Sequence, residues 1–190
     1  MSYSIKKIFP TYLHCIDNIP ISDELVKYCL TRPDLNIGNI KSNKGGNQSL
    51  STDEDSIVKD LIQKIIDENI RTVCKSEFGI DSYWINVNKR DNYNACHSHP
   101  GAVLAGVVYL QVSENSGDIV FFHPNMHAVF EESQTYGENN QLSQYTELHV
   151  EPKTGLCCIF PAYLMHAVEP NKTDDDRVSV SFNLIVRSSQ

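Results

Sequence analysis

The sequence predicts an α+β chain that is mainly β, and three observations support this. Residues 55–76 carry apolar side chains at helical spacing, from Ile57 to Cys74. After Gly79, short runs rich in aromatic and β-branched residues alternate with turn-forming residues. Helices followed by many strands are typical of a chain whose helices cover one face of a β-rich half.

Composition predicts one globular domain spanning residues 1–190. The 190 residues are 41% hydrophobic and 21% charged, which is sufficient for a single core. The formal net charge of −8 argues against a nucleic-acid partner, because phosphate binding needs clustered Lys and Arg. Oligomeric state is left open by the composition.

The compartment is expected to be the cytoplasm. The first residues contain no apolar run long enough for the core of a secretory signal, and no run of about 18 apolar residues suggests a membrane span, so we expect neither export nor membrane insertion. Six cysteines occur without CxxC spacing, and we expect reduced thiols that mostly act as small core residues.

The first part of the chain, residues 1–79, is interpreted as helical support. Residues 22–31 predict a short helix, with Ser22 as its N-cap and acidic residues in the first turn. Residues 32–54 are rich in Pro, Asn, Gly, Ser and Asp and predict a long loop. Residues 55–76 then form the longer amphipathic helix, which we expect to pack on a sheet.

Residues 80–190 are interpreted as the β-rich catalytic half. The strand-like runs are SYWINVN, LAGVVYLQV, DIVFF, HAVF, LHVEP, LCCIF and RVSVSFNLIV. The polar stretch 131–147 lacks regularly spaced core residues, and it is predicted to form a mobile flap near a site.

Three of the seven histidines stand where they make sense together. His97 and His99 are two residues apart, so in an extended segment both rings can face one ion. His166 follows an apolar run and a Phe-Pro pair, and can supply a third imidazole from a distant strand. Imidazole suits iron, zinc, copper and nickel, so the ligand type alone does not select the metal.

The order of motifs is more specific than any one of them. HxH is followed by a strand that contains Tyr109, then by GDIVFF, GLCCIFPAYLMH and RVSVSF. This order resembles the catalytic half of the 2-oxoglutarate (2OG) and iron(II)-dependent oxygenases, over about residues 82–186. Within that superfamily the chain is similar to the prolyl-4-hydroxylase-like group, and to a set of oxygenases from marine bacteria and phages.

The resemblance implies a double-stranded β-helix, or jelly-roll barrel, with the N-terminal helices packed on one sheet. It also implies that His97 and His166 are the two metal-binding histidines of the family's HxD…H motif, with His99 at the carboxylate position. His99 therefore departs from the family pattern, and Asp118 is an alternative third ligand. The implied cofactors are Fe(II), 2OG as co-substrate, and O2.

The co-substrate residues implied by the resemblance are Arg177, Ser179 and Tyr109. An Arg at the position of Arg177 pairs with the distal carboxylate of 2OG, a match of a planar fork to a planar anion. Ser179 completes an RxS pattern and Tyr109 matches an assisting tyrosine. Their alternative roles are a solvent-facing serine and a core tyrosine.

The implied reaction is hydroxylation of a C–H bond with release of succinate and CO2. A protein or peptide residue, such as proline, and a small molecule are both plausible substrates. A phage-encoded enzyme of this kind would act in the host cytoplasm.

Two other functions are compatible with parts of the sequence. Gly155, Pro161 and His166 have the spacing of the second cupin motif, which would favour a three-histidine dioxygenase that does not use 2OG. The Glu of the first cupin motif is missing, however, and Arg177 would have no task. A non-enzymatic jelly-roll binding protein explains the strands but leaves the joint placement of the histidines and Arg177 to coincidence.

Overall fold

A computed structural model describes residues 10–32, 34–35, 41–49, 56–136 and 146–187, together with positions 2 and 4. Its elements, in chain order, are β1 (His14–Ile16), α1 (Asp23–Leu30), β2 (Asn43–Lys44), β3 (Asn47–Gln48), α2 (Ser56–Ile65), a π-helical segment (Ile66–Ile70), α3 (Arg71–Val73), β4 (Phe78–Asn88), β5 (Tyr93–His97), β6 (Leu104–Gln111), β7 (Ile119–Phe122), α4 (Met126–Tyr136), β8 (Glu147–Val150), β9 (Cys157–Pro161), β10 (His166–Val168) and β11 (Arg177–Val186).

Two antiparallel sheets form the barrel. The larger sheet has the order β1-β9-β6-β11-β4-β3, and the smaller has the order β2-β5-β10-β7-β8. The chain crosses repeatedly between the two sheets, which is the topology of a double-stranded β-helix. The predicted fold class is thereby confirmed.

The central strand β11 packs against the apolar core with one face and lines the cavity with the other. Val178, Val180, Phe182 and Leu184 belong to the apolar cluster shared with the helices. The alternate residues Arg177, Ser179, Ser181 and Asn183 are on the opposite face, because successive side chains of a strand point to opposite sides. Strand β4 repeats this arrangement, with Tyr83, Ile85 and Val87 in the apolar cluster and Trp84, Asn86 and Asn88 on the cavity face.

The N-terminal helices cover the larger sheet, as predicted. Leu25 and Cys29 of α1 and Val58 and Ile62 of α2 are buried in the same cluster as the inward residues of β11. Ser22 caps α1, and its side-chain oxygen accepts a hydrogen bond from the Leu25 backbone N–H at 3.2 Å. The helix predicted over 55–76 is observed, with a π-helical segment in its second half.

The prediction of a long loop over 32–54 was wrong for residues 43–48. Strand β2 pairs with β5 at the edge of the smaller sheet, and strand β3 pairs with β4 at the edge of the larger sheet, so this segment connects the edges of both sheets. Its buried amides have partners on β4: Gln48 Nε2 donates to Asn86 Oδ1 at 2.9 Å, and Asn43 Oδ1 accepts from Asn88 Nδ2 at 3.2 Å. These hydrogen bonds to distant residues stabilise the segment as strands, although its sequence has no alternating pattern that would predict them. Residues 33, 36–40 and 50–54 lie outside the described part of the chain.

Two predictions for the segment after β7 also need correction. The run HAVF, predicted to be a strand, lies in helix α4, which buries Val129 and exposes Met126 and Phe130. An apolar run of four residues fits a helix as well as a strand, so periodicity could not separate them. The predicted flap 131–147 begins within this helix, and residues 137–145 lie outside the described residues.

The six cysteines are free, but only Cys29, Cys157 and Cys158 are buried; Cys15 and Cys96 are exposed and Cys74 is half-buried, so the prediction that most of them are core residues holds for half of them. Cys157 faces the helical cluster and Cys158 faces the barrel interior, so the adjacent pair contributes to both cores. No helix in the described part of the chain has the length and apolar character needed to cross a membrane.

Candidate active site

A cavity lies between the two sheets. It is lined by side chains from both sheets and by one residue next to β2. The residues that line it include Ser42, Trp84, Asn86, Asn88, Asn94, His97, His99, Tyr109, Phe160, His166, Arg177, Ser179 and Ser181.

The three histidines selected from the sequence meet at one side of this cavity. One ring nitrogen from each of His97, His99 and His166 lies within 4.8 Å of the others. The ring centroids of His97 and His166 are 4.2 Å apart, and that of His99 is 5.1 Å from each. The smaller sheet sets this geometry, because His97 on β5 and His166 on β10 are direct cross-strand partners.

Each histidine is oriented by a hydrogen bond from its Nδ1. His97 Nδ1 donates to the Ala95 carbonyl at 2.7 Å, and His166 Nδ1 donates to the Leu164 carbonyl at 3.0 Å. A carbonyl oxygen only accepts, so in both rings the proton is on Nδ1 and the Nε2 lone pair is free. His99 Nδ1 lies 2.6 Å from the side-chain Oδ1 of Asn183.

The site keeps the histidines neutral. Burial lowers the pKa of His166 to about 3, with a further contribution from His97. Burial is also the main cause that lowers the pKa of His97 and of His99. Neutral imidazole is the form that binds metal, so the cluster is prepared for a cation before one arrives.

Arg177 provides a buried positive charge in the same cavity. Its side chain is 1% exposed, and Nη1 donates to the backbone carbonyls of Ser116, Gly117 and Glu169. None of the ion pairs between described residues includes Arg177. Burial lowers its pKa, but a guanidinium remains charged at neutral pH. A buried cation without a counter-charge is costly, and an anionic ligand would remove that cost.

Tyr109 and Ser179 are beside Arg177. They are direct partners between β6 and β11, and both are buried, at 1% and 6% exposure. Burial raises the pKa of Tyr109 well above its usual value, while the charge of Arg177 acts in the opposite direction. The tyrosine therefore keeps its proton and can donate a hydrogen bond to an anion.

Unpartnered polar atoms show what this cavity can accept. In the described part of the chain, three buried side-chain polar atoms lack a hydrogen-bond partner: His99 Nε2, Tyr109 Oη and Arg177 Nη2. All three belong to cavity-lining residues, although such atoms are rare in folded proteins. A metal at the histidines would be bound by His99 Nε2. A carboxylate would accept hydrogen bonds from Tyr109 Oη and Arg177 Nη2. The residues therefore fit a divalent metal together with a carboxylate-bearing ligand.

Asp118 is not part of the histidine cluster. Among the described residues it groups instead with His149 and Glu169 in a partly exposed cluster, with Asp118 Oδ2 3.6 Å from His149 Nδ1. The alternative that Asp118 supplies the third ligand is thus not supported by the geometry. Among described residues, the three histidines form a group that contains no carboxylate.

The structure adds residues to which the sequence analysis gave no role. Asn183 lies on β11 beyond Ser179, and its side chain contacts His99. Asn88 lines the cavity from the end of β4. Alternation along β11 places Asn183 on the same face as Arg177, but its partner could not be deduced without the fold. Ser42 comes from the segment that was predicted to be a loop.

Comparison with protein families gives one match. A family model described as a 2OG-Fe(II) oxygenase matches residues 82–183, which include all three histidines, Tyr109, Arg177 and Ser179. A search of curated proteins found no match to this sequence.

Solved structures with the same fold are distant in sequence. HygX from Streptomyces hygroscopicus, with nickel and 2-oxoglutarate bound, has a TM-score of 0.64 at 13% identity, covering 93% of this chain and 83% of HygX. A prolyl-4-hydroxylase from Pseudomonas putida has a TM-score of 0.60 at 15% identity, covering 93% and 94%. The viral collagen prolyl hydroxylase of Paramecium Bursaria Chlorella virus-1, in its 2OG complex, has a TM-score of 0.59 at 16% identity, covering 91% and 95%.

Proposed function

The chain belongs to the 2OG-Fe(II) oxygenase family, and on this premise we propose that it hydroxylates a C–H bond in an uncharged segment of a peptide, such as a prolyl residue. Enzymes of this family use iron(II), 2OG and O2, so the protein is an oxidoreductase with these three requirements. Family membership excludes a non-enzymatic jelly roll, and a cupin that does not use 2OG would leave Arg177 and Tyr109 without a ligand.

The observation that carries the proposal is that Arg177 and the three histidines line the same cavity. In the proposed site, His97, His99 and His166 hold the metal through Nε2. Arg177 Nη2, Tyr109 Oη and the Ser179 hydroxyl bind the distal carboxylate of 2OG. A guanidinium paired with a carboxylate in a buried place gives both charge compensation and orientation.

The chain's own residues orient the reactants and exclude water. When bound, iron(II) supplies the chemistry by which O2 oxidises 2OG to succinate and CO2 and converts a C–H bond to C–OH. Trp84 stacks on His99 with 5.7 Å between their ring centroids, and Phe160 packs edge-on against His166 with 4.6 Å between theirs. Aromatic rings therefore pack against two of the three histidines. This shielding fixes the imidazoles and limits the access of water to the reacting atoms.

The cavity supports an uncharged substrate segment. Among the described lining residues, Arg177 is the one permanently charged side chain, and the proposed site uses it for 2OG. The remaining polar lining consists of neutral carboxamides and hydroxyls, including Asn86, Asn94 and Ser181. These groups suit backbone amides better than a free amino acid, whose charged termini would have no partner. The likeness in fold to two prolyl hydroxylases adds to this proposal.

The test is product analysis with matched substrates. Purified protein with Fe(II), 2OG and O2 is incubated with a neutral proline-containing peptide capped at both ends, or with free L-proline. Succinate is measured by NMR and the gain of one oxygen atom by mass spectrometry. We expect the capped peptide to gain an oxygen in step with succinate formation. Oxygenation of free L-proline but not of the peptide would contradict the proposed substrate class, and no succinate under any condition would contradict the reaction.

A cytoplasmic location is also proposed, supported by the six free thiols. Expression of a tagged chain followed by fractionation tests it, and recovery from a secreted or membrane fraction would contradict it.

A further inference from the structure

The histidine in the position where the family pattern expects a carboxylate is held differently from the other two. His97 and His166 use backbone carbonyls, which every sequence provides. His99 instead depends on one side chain, because its Nδ1 lies 2.6 Å from Asn183 Oδ1. His99 is therefore the one histidine of the three whose Nδ1 partner depends on the identity of another side chain, that of residue 183.

A chain of hydrogen bonds fixes which end of the Asn183 amide faces His99. The Ser82 hydroxyl donates to Asp81 Oδ2 at 3.1 Å, so its oxygen is free to accept from Asn183 Nδ2 at 3.0 Å. The amide NH2 thus points to Ser82 and its oxygen points to His99. Because an amide oxygen only accepts, His99 must carry its proton on Nδ1. Its Nε2 then has a free lone pair, and this atom is buried without a partner.

We propose that Asn183 is a positioning residue that holds His99 as the Nδ1–H tautomer, with Nε2 aimed at the metal; this rests on the proposed function. Without the amide oxygen, His99 could place its proton on Nε2 and would then be unable to bind a cation. An outer hydrogen-bond partner of a metal-binding histidine usually contributes about 10- to 100-fold in metal affinity. Asn183 does not touch the reactants and acts only through His99.

The first test needs no metal. Long-range 1H–15N NMR spectra of metal-free protein report the tautomer of each histidine, and a His99→Gln variant identifies the His99 signals. We expect the Nδ1–H form in the wild type and in Asn183→Asp, which keeps an acceptor oxygen. We expect loss of this form in Asn183→Leu, which is similar in size but accepts no hydrogen bond. An Nε2–H tautomer in the wild type would overturn the proposal, even if Asn183→Leu does not fold.

The second test measures metal affinity directly. Co(II) binding, followed by its visible absorption under anaerobic conditions, should be about 10- to 100-fold weaker in Asn183→Leu and close to wild type in Asn183→Asp. Ser113→Ala is the control, since Ser113 bonds Asp175 on the surface and does not line this cavity. Equal affinity in Asn183→Leu and the wild type would overturn the proposal. A wild type with an Asn183-dependent tautomer that binds neither Co(II) nor Fe(II) would instead overturn the proposed function and leave the orientation of His99 standing.

Discussion

His97 and His166 are direct partners across the antiparallel pair of β5 and β10, and their ring centroids lie 4.2 Å apart. Backbone hydrogen bonds of a sheet therefore set the separation of two metal-binding candidates, and no loop has to close to bring them together. A site built in this way exists before the metal binds, and its energetic consequences can be measured in metal-free protein.

Replacing Tyr109 by Phe should weaken the binding of 2OG without lowering the free energy of unfolding. The hydroxyl of Tyr109 is buried without a partner, so its removal should leave the free energy of unfolding unchanged or slightly higher. Affinity for 2OG should fall by about 1.5–3 kcal/mol, roughly 10- to 150-fold, because a hydrogen bond to a carboxylate is lost. Denaturant unfolding of the apoprotein and titration with 2OG check the two parts. A stability loss with unchanged 2OG affinity would mean that Tyr109 is only a core residue.

Acidification should destabilise the metal-free protein. The pKa of His166 is lowered to about 3 in the folded state, against about 6.5 in an unfolded chain. The unfolded state then binds the proton first, so stability is full above pH 6.5 and decreases as the pH falls towards 3. Urea unfolding at several pH values between 7.5 and 5 measures this decrease, which His166→Leu should make shallower. The same slope in both proteins would contradict the assignment to His166.

Gly117 should be far less tolerant of a side chain than Gly101. Both have positive φ, at +86° and +96°. A Cβ at Gly117 would lie 2.6 Å from the Glu169 carbonyl oxygen and 2.7 Å from that of Pro170, whereas nothing lies within 4 Å at Gly101. Gly101→Ala should therefore cost only the backbone strain of about 1–2 kcal/mol.

Gly117→Ala should cost more, and it should also weaken 2OG binding because the Gly117 and Glu169 carbonyls hold Arg177. Thermal unfolding compares the stability of the two variants, and titration with 2OG compares their affinity. If Gly117→Ala retains wild-type 2OG affinity, these carbonyls do not position the guanidinium.

Much of the fold was predictable because its strands have strong alternation. In β11, Val178, Val180, Phe182 and Leu184 pack with the helices, and the alternate residues Arg177, Ser179 and Ser181 line the cavity. Arg177 and Ser179 were selected from the family resemblance, and the same alternation places them on one face. His97, His99 and His166 could be selected because their residue type and motif order are informative before any contact is known.

The remaining features depend on contacts between distant residues. The pairing of Gln48 with Asn86 makes a strand of a segment with no periodicity, and Asn183 acquires its role only because the fold brings His99 to it. Asp118 was a reasonable alternative ligand by residue type, but its partners are His149 and Glu169. Such errors arise where side-chain hydrogen bonds, and not local patterns, determine the structure.

The most direct test of the central claim is anaerobic addition of Fe(II), with and without 2OG, while the weak visible charge-transfer band of the iron–2OG chelate is recorded. Wild type should develop the band only when both are present. Arg177→Ala should bind 2OG at least about 30-fold more weakly, because a buried charge pair loses one partner. Arg90→Ala is the control, since Arg90 pairs with Asp174 on the surface, where the two side chains are 51% and 89% exposed. Absence of the band in wild type despite iron binding, or an unchanged band in Arg177→Ala, would contradict the assignment of this cavity as a 2OG-dependent iron site.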